Sequence, residues 1–263
     1  MAVVDRSQLT LAADGVIGTL FAPRTPDRVP GVVLIGGSGG QEPQLSAMRL
    51  AQEGFAALSV AYFKRDGLPP TLREVPLEYF EQALQALRRS LHLGRGPLAV
   101  LGVSRGSEAA LLSGVHFPDL VNAVVAMVPG NVVLCSWPPG GPAWTLRGRP
   151  LPYTSRFGPA TDNPEAEIPV ERIQGPVLLI SAGADRVWPS SRMAFAMAAR
   201  LKAKGHPYPD EHIDYPVAGH DLGQGEARPA PEGTSGPFEG VVQDGSARRS
   251  PLDEVCNFLR RLR

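Results

Sequence analysis

The sequence predicts a mostly parallel sheet with helices on both faces, entered through an antiparallel hairpin, and two observations carry this α/β class. Apolar runs recur at 32–35, 56–60, 98–101, 121–128 and 177–180, rich in Val, Ile, Leu and Ala, interrupted by a polar residue only at Ser59 and Asn122, and not alternating. Strands buried on both faces have that pattern. Between the runs lie segments with apolar residues at helical spacing, so strand and helix alternate along the chain.

Taken in order, residues 8–11 and 16–21 flank Ala13-Asp14-Gly15 and predict two antiparallel strands around a turn. Residues 43–53 read as a helix stopped by Gly54. Pro76 opens a second helix with Phe80, Leu84, Leu87 and Leu91 on one face. Arg88, Arg89 and His92 lie toward its carboxyl end, where the dipole favours cations. Helices are also expected at 190–203 and 251–262, the last with Leu252, Val255 and Leu259 on one side. No repeat, charge block or linker divides the chain, so residues 1–263 read as one domain. It carries two irregular stretches, a cap-like insertion at 131–176 and a long loop at 223–250, where many of the 29 glycines and 27 prolines collect.

Lys plus Arg and Asp plus Glu are 26 each, and no long run of one sign occurs. A nucleic-acid partner or an anionic membrane surface is therefore not expected. The amino terminus lacks the apolar stretch of about 7–15 residues of a signal peptide. Nor does any run approach the ~20 residues of a membrane span, so the expectation is a soluble, cytoplasmic protein. Cys135 and Cys256 are far apart and outside any Cys-x-x-Cys pairing. They read as reduced thiols, with neither a zinc site nor a disulfide framework; no metal and no organic cofactor is expected.

The chemistry concentrates at Gly102-Val103-Ser104-Arg105-Gly106, which follows the run at 98–101 and precedes a helical segment from Ser107. This is G-x-S-x-G between a strand and a helix, where a tight strained turn exposes the serine hydroxyl. Glycines two before and two after leave room for strand and helix to pass. A serine needs a base, and the base a carboxylate, in the chain order Ser, Asp or Glu, His. His92 and His116 fall at helix ends, and His206 and His212 lie in a polar stretch expected to face solvent. His220 instead closes the segment 213–220, beyond the last strand at the carboxyl edge of the sheet. Asp185 leaves the end of the preceding strand in the same way, whereas Asp214 lies within its strand and Asp162 and Asp210 in polar loops. The run at 121–128 ends in Pro129-Gly130-Asn131, with no carboxylate. The expected triad is Ser104, Asp185 and His220.

An oxyanion hole needs the amide of Arg105 and a second amide from the loop Gly36-Gly37-Ser38-Gly39-Gly40, with Ser38 favoured and Gly37 its neighbour. A phosphate cradle is the competing use of such a loop. It is disfavoured because the P-loop Gly-Lys-[Ser/Thr] is missing and the third glycine of G-x-G-x-x-G is Glu42. The insertion holds Trp137, Trp144, Tyr153 and Phe157. Trp137 and Trp144, with Gly37, are candidate substrate-binding residues of an aromatic pocket over Ser104; the equal alternative is that the tryptophans pin a long loop. Arg105, Arg147 and Arg149 could meet a phosphate, though solvated arginines are the ordinary case.

These residues resemble the catalytic domain of the acyl-CoA thioesterase and bile acid-CoA:amino acid N-acyltransferase family, a branch of the α/β hydrolases near the dienelactone hydrolases. The similarity runs through Gly36 to Gly40, Ala61-Tyr62-Phe63, the stretch from Gly67 to Phe80, and Gly102-Val103-Ser104-Arg105-Gly106-Ser107-Glu108. It continues through Asp185-Arg186-Val187-Trp188-Pro189-Ser190 and Gly219-His220. The resemblance implies an α/β-hydrolase fold and a serine hydrolase that cleaves acyl thioesters or carboxylic esters through an acyl-enzyme. Larger relatives carry a β-sandwich domain ahead of this one, where only a hairpin is expected here. Amino acid-conjugating members have a cysteine nucleophile, whereas Ser104 would form an oxygen ester suited to attack by water. Acyl transfer to an amine or alcohol, and a catalytically silent binding module, are the alternatives. The zero net charge weakens the case for a polyanionic CoA ester and keeps a plain small-molecule ester in contention.

Overall fold

A computed structural model describes residues 3–25, 27, 29–89, 96–155, 162–222 and 250–262. Its strands are β1 (Val4–Leu9), β2 (Ile17–Pro23), β3 (Gly31–Ile35), β4 (Ala56–Ala61), β5 (Val75–Pro76), β6 (Leu98–Val103), β7 (Ala123–Met127), β8 (Trp144–Leu146), β9 (Arg149–Pro150), β10 (Val177–Ala182) and β11 (Glu211–Tyr215). The helices are α1 (Leu11–Asp14), α2 (Gln44–Gln52), α3 (Glu78–Arg89), α4 (Arg105–His116), α5 (Ser190–Ala203) and α6 (Pro251–Leu259). Eight strands form one sheet in the order β1-β2-β4-β3-β6-β7-β10-β11. β2 runs antiparallel to both β1 and β4, and every other neighbouring pair is parallel.

The apolar runs are continuous because each strand feeds two cores in alternation. On β3, Val33 and Ile35 join the core under α3, α4 and α5, while Val32 and Leu34 join the one under α2 and α6. The central strand β6 does the same, with Leu98 and Val100 on the first side and Ala99 and Leu101 on the second. Crossing from one parallel strand to the next through a helix leaves all the βα loops at one edge. That edge carries residues 36–40, 104 and 183–188, together with the turn after β11 at 216–220.

Three expectations are corrected. The first hairpin strand is Val4–Leu9, not 8–11, because Thr10 caps a helical turn: its hydroxyl accepts from the Ala13 amide and Gly15 closes the turn at φ 78°. Register with β2 still pairs Leu9 with Gly18 and Val4 with Pro23. The insertion is less irregular than its composition suggests, since β8 pairs with β5 and β9 to make a second, three-stranded sheet. Further bridges join Leu72 to Trp137, Val132 to Glu167 and Leu134 to Thr154.

The His206 side chain is shielded from solvent, and His212 is half-buried. The His206 side chain, 1% exposed, lies between Asp210 Oδ2 at 2.6 Å and the Ile173 carbonyl at 2.7 Å. His212 bonds Ser181 Oγ at 2.8 Å under the Phe195 ring. Leu91, His92, Phe157 and nearly all of the loop expected at 223–250 lie outside the described residues. Among the described residues no helix is long and apolar enough to cross a membrane. Cys135 and Cys256 are free and buried, and burial pushes the Cys256 thiol up to about 11.

Candidate active site

Ser104 sits where β6 turns into α4, at φ 56° and ψ −121°. A non-glycine residue held there costs on the order of 1–3 kcal/mol and persists only where the surroundings impose it. The flanking glycines are part of that imposition. A Cβ on Gly102 would lie 2.0 Å from the Gly106 carbonyl oxygen, and one on Gly106 would lie 2.3 Å and 2.4 Å from the oxygens of Ile35 and Gly36. Both contacts are with backbone, so no side chain fits. The turn is pinned by the Ser104 amide on the Met127 carbonyl (3.0 Å) and by the Ser107 hydroxyl on the Ser104 carbonyl (2.6 Å).

The half-buried hydroxyl of Ser104 is 2.8 Å from His220 Nε2, and His220 Nδ1 is 2.9 Å from Asp185 Oδ2. A carboxylate beside Nδ1 assigns the ring proton to that nitrogen and leaves Nε2 as acceptor for the serine proton. The other Asp185 oxygen takes the amides of Val187 (2.9 Å) and Trp188 (3.2 Å). Burial by itself pushes the Asp185 carboxyl up, but the hydrogen bonds from His220, Ser190 and Val187 outweigh it and hold it below its usual range. The loops bearing the pair are stitched together by the Gly183 amide on the Tyr215 carbonyl (2.8 Å) and the Ala184 amide on the Ala218 carbonyl (3.0 Å).

Trp188 was not singled out as a site residue by the sequence reasoning. Its ring meets His220 edge to face at 5.0 Å and 87°, and its Nε1 donates to the Val128 carbonyl at 3.1 Å. The sequence signals for it are its position, three residues after Asp185, and its place in the stretch Asp185 to Ser190 that carries the family resemblance.

Of the oxyanion candidates, Arg105 opens α4, where a helix has no internal acceptor for its first amides. Gly37 lies against the serine: a Cβ built on it would be 3.3 Å from Ser104 Cβ and 3.6 Å from Ser104 Oγ. Ser38 follows it in a half-buried turn closed by the Gly40 amide on the Gly37 carbonyl (3.2 Å).

Trp144 is not a pocket residue. It is fully buried among Tyr62 and Phe80, and its indole N–H donates to Glu108 Oε2 at 3.0 Å. Glu108, which sequence reasoning passed over, also accepts the Leu134 amide and pairs with Arg105 at 3.0 Å, both side chains buried. Burial pushes the Glu108 carboxyl up, against the pull of Arg105 and the two N–H donors. The Arg105 guanidinium meets the carbonyls of Cys135 (2.9 Å) and Leu134 (3.1 Å), so it is neither solvated nor open to a phosphate. The pair fastens the start of the insertion to the first turn of the nucleophile helix. Trp137 is 49% exposed, its amide bonded to the Leu72 carbonyl. Arg147 and Arg149 are exposed.

Comparison with known proteins matches residues 75–137 and 153–224 to the family described as BAAT / Acyl-CoA thioester hydrolase C terminal. Acyl-coenzyme A thioesterase 1 of Rattus norvegicus is 33% identical over 217 residues, covering 78% of this chain and 51% of the relative. Acyl-coenzyme A thioesterase 1 of Homo sapiens is 32% identical over 224 residues, covering 79% and 52%. The mitochondrial acyl-coenzyme A thioesterase 2 of Homo sapiens is 32% identical over 221 residues, covering 78% and 45%. The chain thus spans about half the length of the curated relatives it matches.

Two solved structures share the fold. A putative dienelactone hydrolase from Klebsiella pneumoniae superposes with TM-score 0.59 at 18% identity, over 84% of this chain and 89% of that one. The dienelactone hydrolase-like promiscuous phosphotriesterase P91, from metagenomic libraries, gives TM-score 0.59 at 18% identity over 100% and 99%. The sheet described above is therefore that of an α/β hydrolase.

Proposed function

The chain belongs to the BAAT / acyl-CoA thioester hydrolase C-terminal family, and on that premise we propose that it is a serine-dependent hydrolase of acyl thioesters or carboxylic esters. Ser104 Oγ attacks the acyl carbonyl while His220 Nε2 takes its proton. His220 then gives that proton to the departing thiolate or alkoxide, leaving an acyl group on Ser104. Water activated by the same imidazole releases the acid. Asp185 keeps the ring oriented and supports its charged form, and the amides of Arg105 and the 36–40 loop take the oxyanion.

The observation that carries this reading is the hydrogen-bonded chain from Ser104 through His220 to Asp185, at 2.8 Å and 2.9 Å, with the serine at a strained turn. Relatives named acyl-coenzyme A thioesterases support a CoA thioester as one substrate class. Location in the cytoplasm belongs to the same proposal and is checked by cell fractionation.

The test is hydrolysis of aryl esters and acyl-CoAs of graded chain length by wild type and Ser104→Ala. Loss of the nucleophile should lower kcat by at least about 10³-fold. Near-wild-type turnover by the variant, or no turnover and no fluorophosphonate labelling of the wild type, would remove the proposal.

A further inference from the structure

The segment that closes β4 and leaves it, Ala61-Tyr62-Phe63-Lys64, underlies the glycine loop beside Ser104. Tyr62 is 1% exposed, packed against Phe63, Phe80 and Trp144 at ring distances of 4.9, 5.5 and 5.9 Å. Its hydroxyl reaches the Gly36 carbonyl at 2.9 Å and the Gly37 carbonyl at 3.1 Å. Burial pushes the phenol above its usual range, so the group stays a neutral donor. Phe63 supports the same loop, since a Cβ on Gly40 would lie 3.0 Å from its ring, and Lys64 Nζ reaches the Gly39 carbonyl at 3.4 Å.

Two successive carbonyls that share the single proton of one hydroxyl, in a three-centre bond, are held in two successive peptide planes. In a trans peptide the N–H points away from the C=O. The amide of Gly37 belongs to the plane whose carbonyl is Gly36, and the amide of Ser38 to the plane whose carbonyl is Gly37. Both N–H groups are thereby turned to the side opposite Tyr62, and successive amides aimed one way form an anion-binding concavity. Gly37 is the residue of this loop that lies against Ser104, and its lack of a Cβ leaves the space beside Ser104 Oγ open.

We propose that Tyr62 is a positioning residue which, by holding these two carbonyls, presents the Gly37 and Ser38 amides together as oxyanion donors at Ser104. The proposal rests on Ser104 acting as the nucleophile. Tyr62 touches no substrate; it acts through the loop.

The test uses the full chain and an alkyl trifluoromethyl ketone labelled with ¹³C at the carbonyl. Ser104 Oγ adds to the carbonyl carbon, the C=O π pair moves onto oxygen, and the serine proton passes to His220, giving a hemiketal whose oxygen sits where the oxyanion would. The ¹³C shift against pH reports how strongly that anion is held. Tyr62→Phe keeps the ring and its packing and removes only the hydroxyl.

Expected are a hemiketal in both proteins, a titration point raised by about one to two pH units in the variant, and a kcat lower by roughly 10- to 100-fold with KM little changed. Phe80→Leu loosens the packing around Tyr62 but keeps its hydroxyl, and should lower Tm without moving the titration. An unchanged titration in Tyr62→Phe, or an equal displacement in Phe80→Leu, overturns the proposal. No hemiketal in the wild type overturns the reading of Ser104, and this proposal falls with it.

Discussion

Replacing Glu108 with alanine removes the acidic half of a buried pair. The Arg105 guanidinium, 3% exposed, is left without its counter-charge, at a cost of about 3–5 kcal/mol. The Leu134 amide and the Trp144 indole N–H lose their acceptor at the same time, each a further ~1–3 kcal/mol before relaxation. Because these losses overlap, the expected total is at least about 4 kcal/mol, a large part of the roughly 5–15 kcal/mol that holds such a protein folded. With a urea m-value near 3 kcal/mol/M the midpoint should fall by more than about 1 M at unchanged m. The double variant Arg105→Met with Glu108→Leu is the sharper case. Exchanging a buried ion pair for apolar residues is often neutral. Here it should not be, because the pair also serves four other groups: two carbonyls at Leu134 and Cys135, the Leu134 amide and the Trp144 indole. About 1 kcal/mol for each leaves the double variant near 4 kcal/mol below wild type. Wild-type stability in the double variant, or a loss under about 1 kcal/mol in Glu108→Ala, would refute the view that this pair fastens the insertion.

Asp185→Asn should lower kcat by about 10⁴-fold, since an amide can favour the wrong histidine tautomer. Its stability effect should depend on pH. A carboxyl held below its usual range stabilises the fold fully above the unfolded value of about 3.9, and loses that contribution as pH falls through the folded value. Urea midpoints of wild type and variant should therefore converge below about pH 4. Trp188→Leu removes the ring against His220 and the donor to Val128, and should cut kcat by roughly 10-fold with KM little changed; steady-state kinetics of Trp188→Phe, which keeps a ring, should fall between. Gly106→Ala forces a methyl to within 2.3–2.4 Å of two carbonyl oxygens and should cost about 3 kcal/mol by thermal unfolding. Gly130→Ala, where the nearest atom is 3.6 Å away, should be close to neutral.

What was legible in the sequence follows from how locally each feature is determined. The strands at 31–35, 98–103 and 177–182 could be read because burial on both faces leaves a run of apolar residues that needs no partner to interpret. Ser104 was legible because its turn has its own grammar of glycines. Asp185 and His220 were reached as residues just past strand ends. The amino-terminal strand differs from its expected position because Thr10 caps α1 and the left-handed Gly15 ends it, where the composition of 13–15 predicts an ordinary turn, although Thr10 and Gly15 stand at cap and stop positions. For Trp144 the sequence leaves the pocket and the loop-pinning roles open, because its partner, Glu108, lies 36 residues away and belongs to another element, and the structure favours the second. Glu108 did leave a local trace, an acid three residues after an arginine in a helix otherwise made of small and apolar residues. His206 deceived because polar neighbours in sequence suggested water, while Asp210 and the Ile173 carbonyl supply the contacts instead.

The most direct test of the central claim is rapid acid quench of the wild type during turnover of an aryl ester or acyl-CoA, followed by mass mapping of the chain. The expected result is one acyl group on the peptide bearing Ser104, formed in step with a burst of about one equivalent of leaving group. Turnover with no acylated peptide at any time, or an acyl group mapped to another residue, would contradict it.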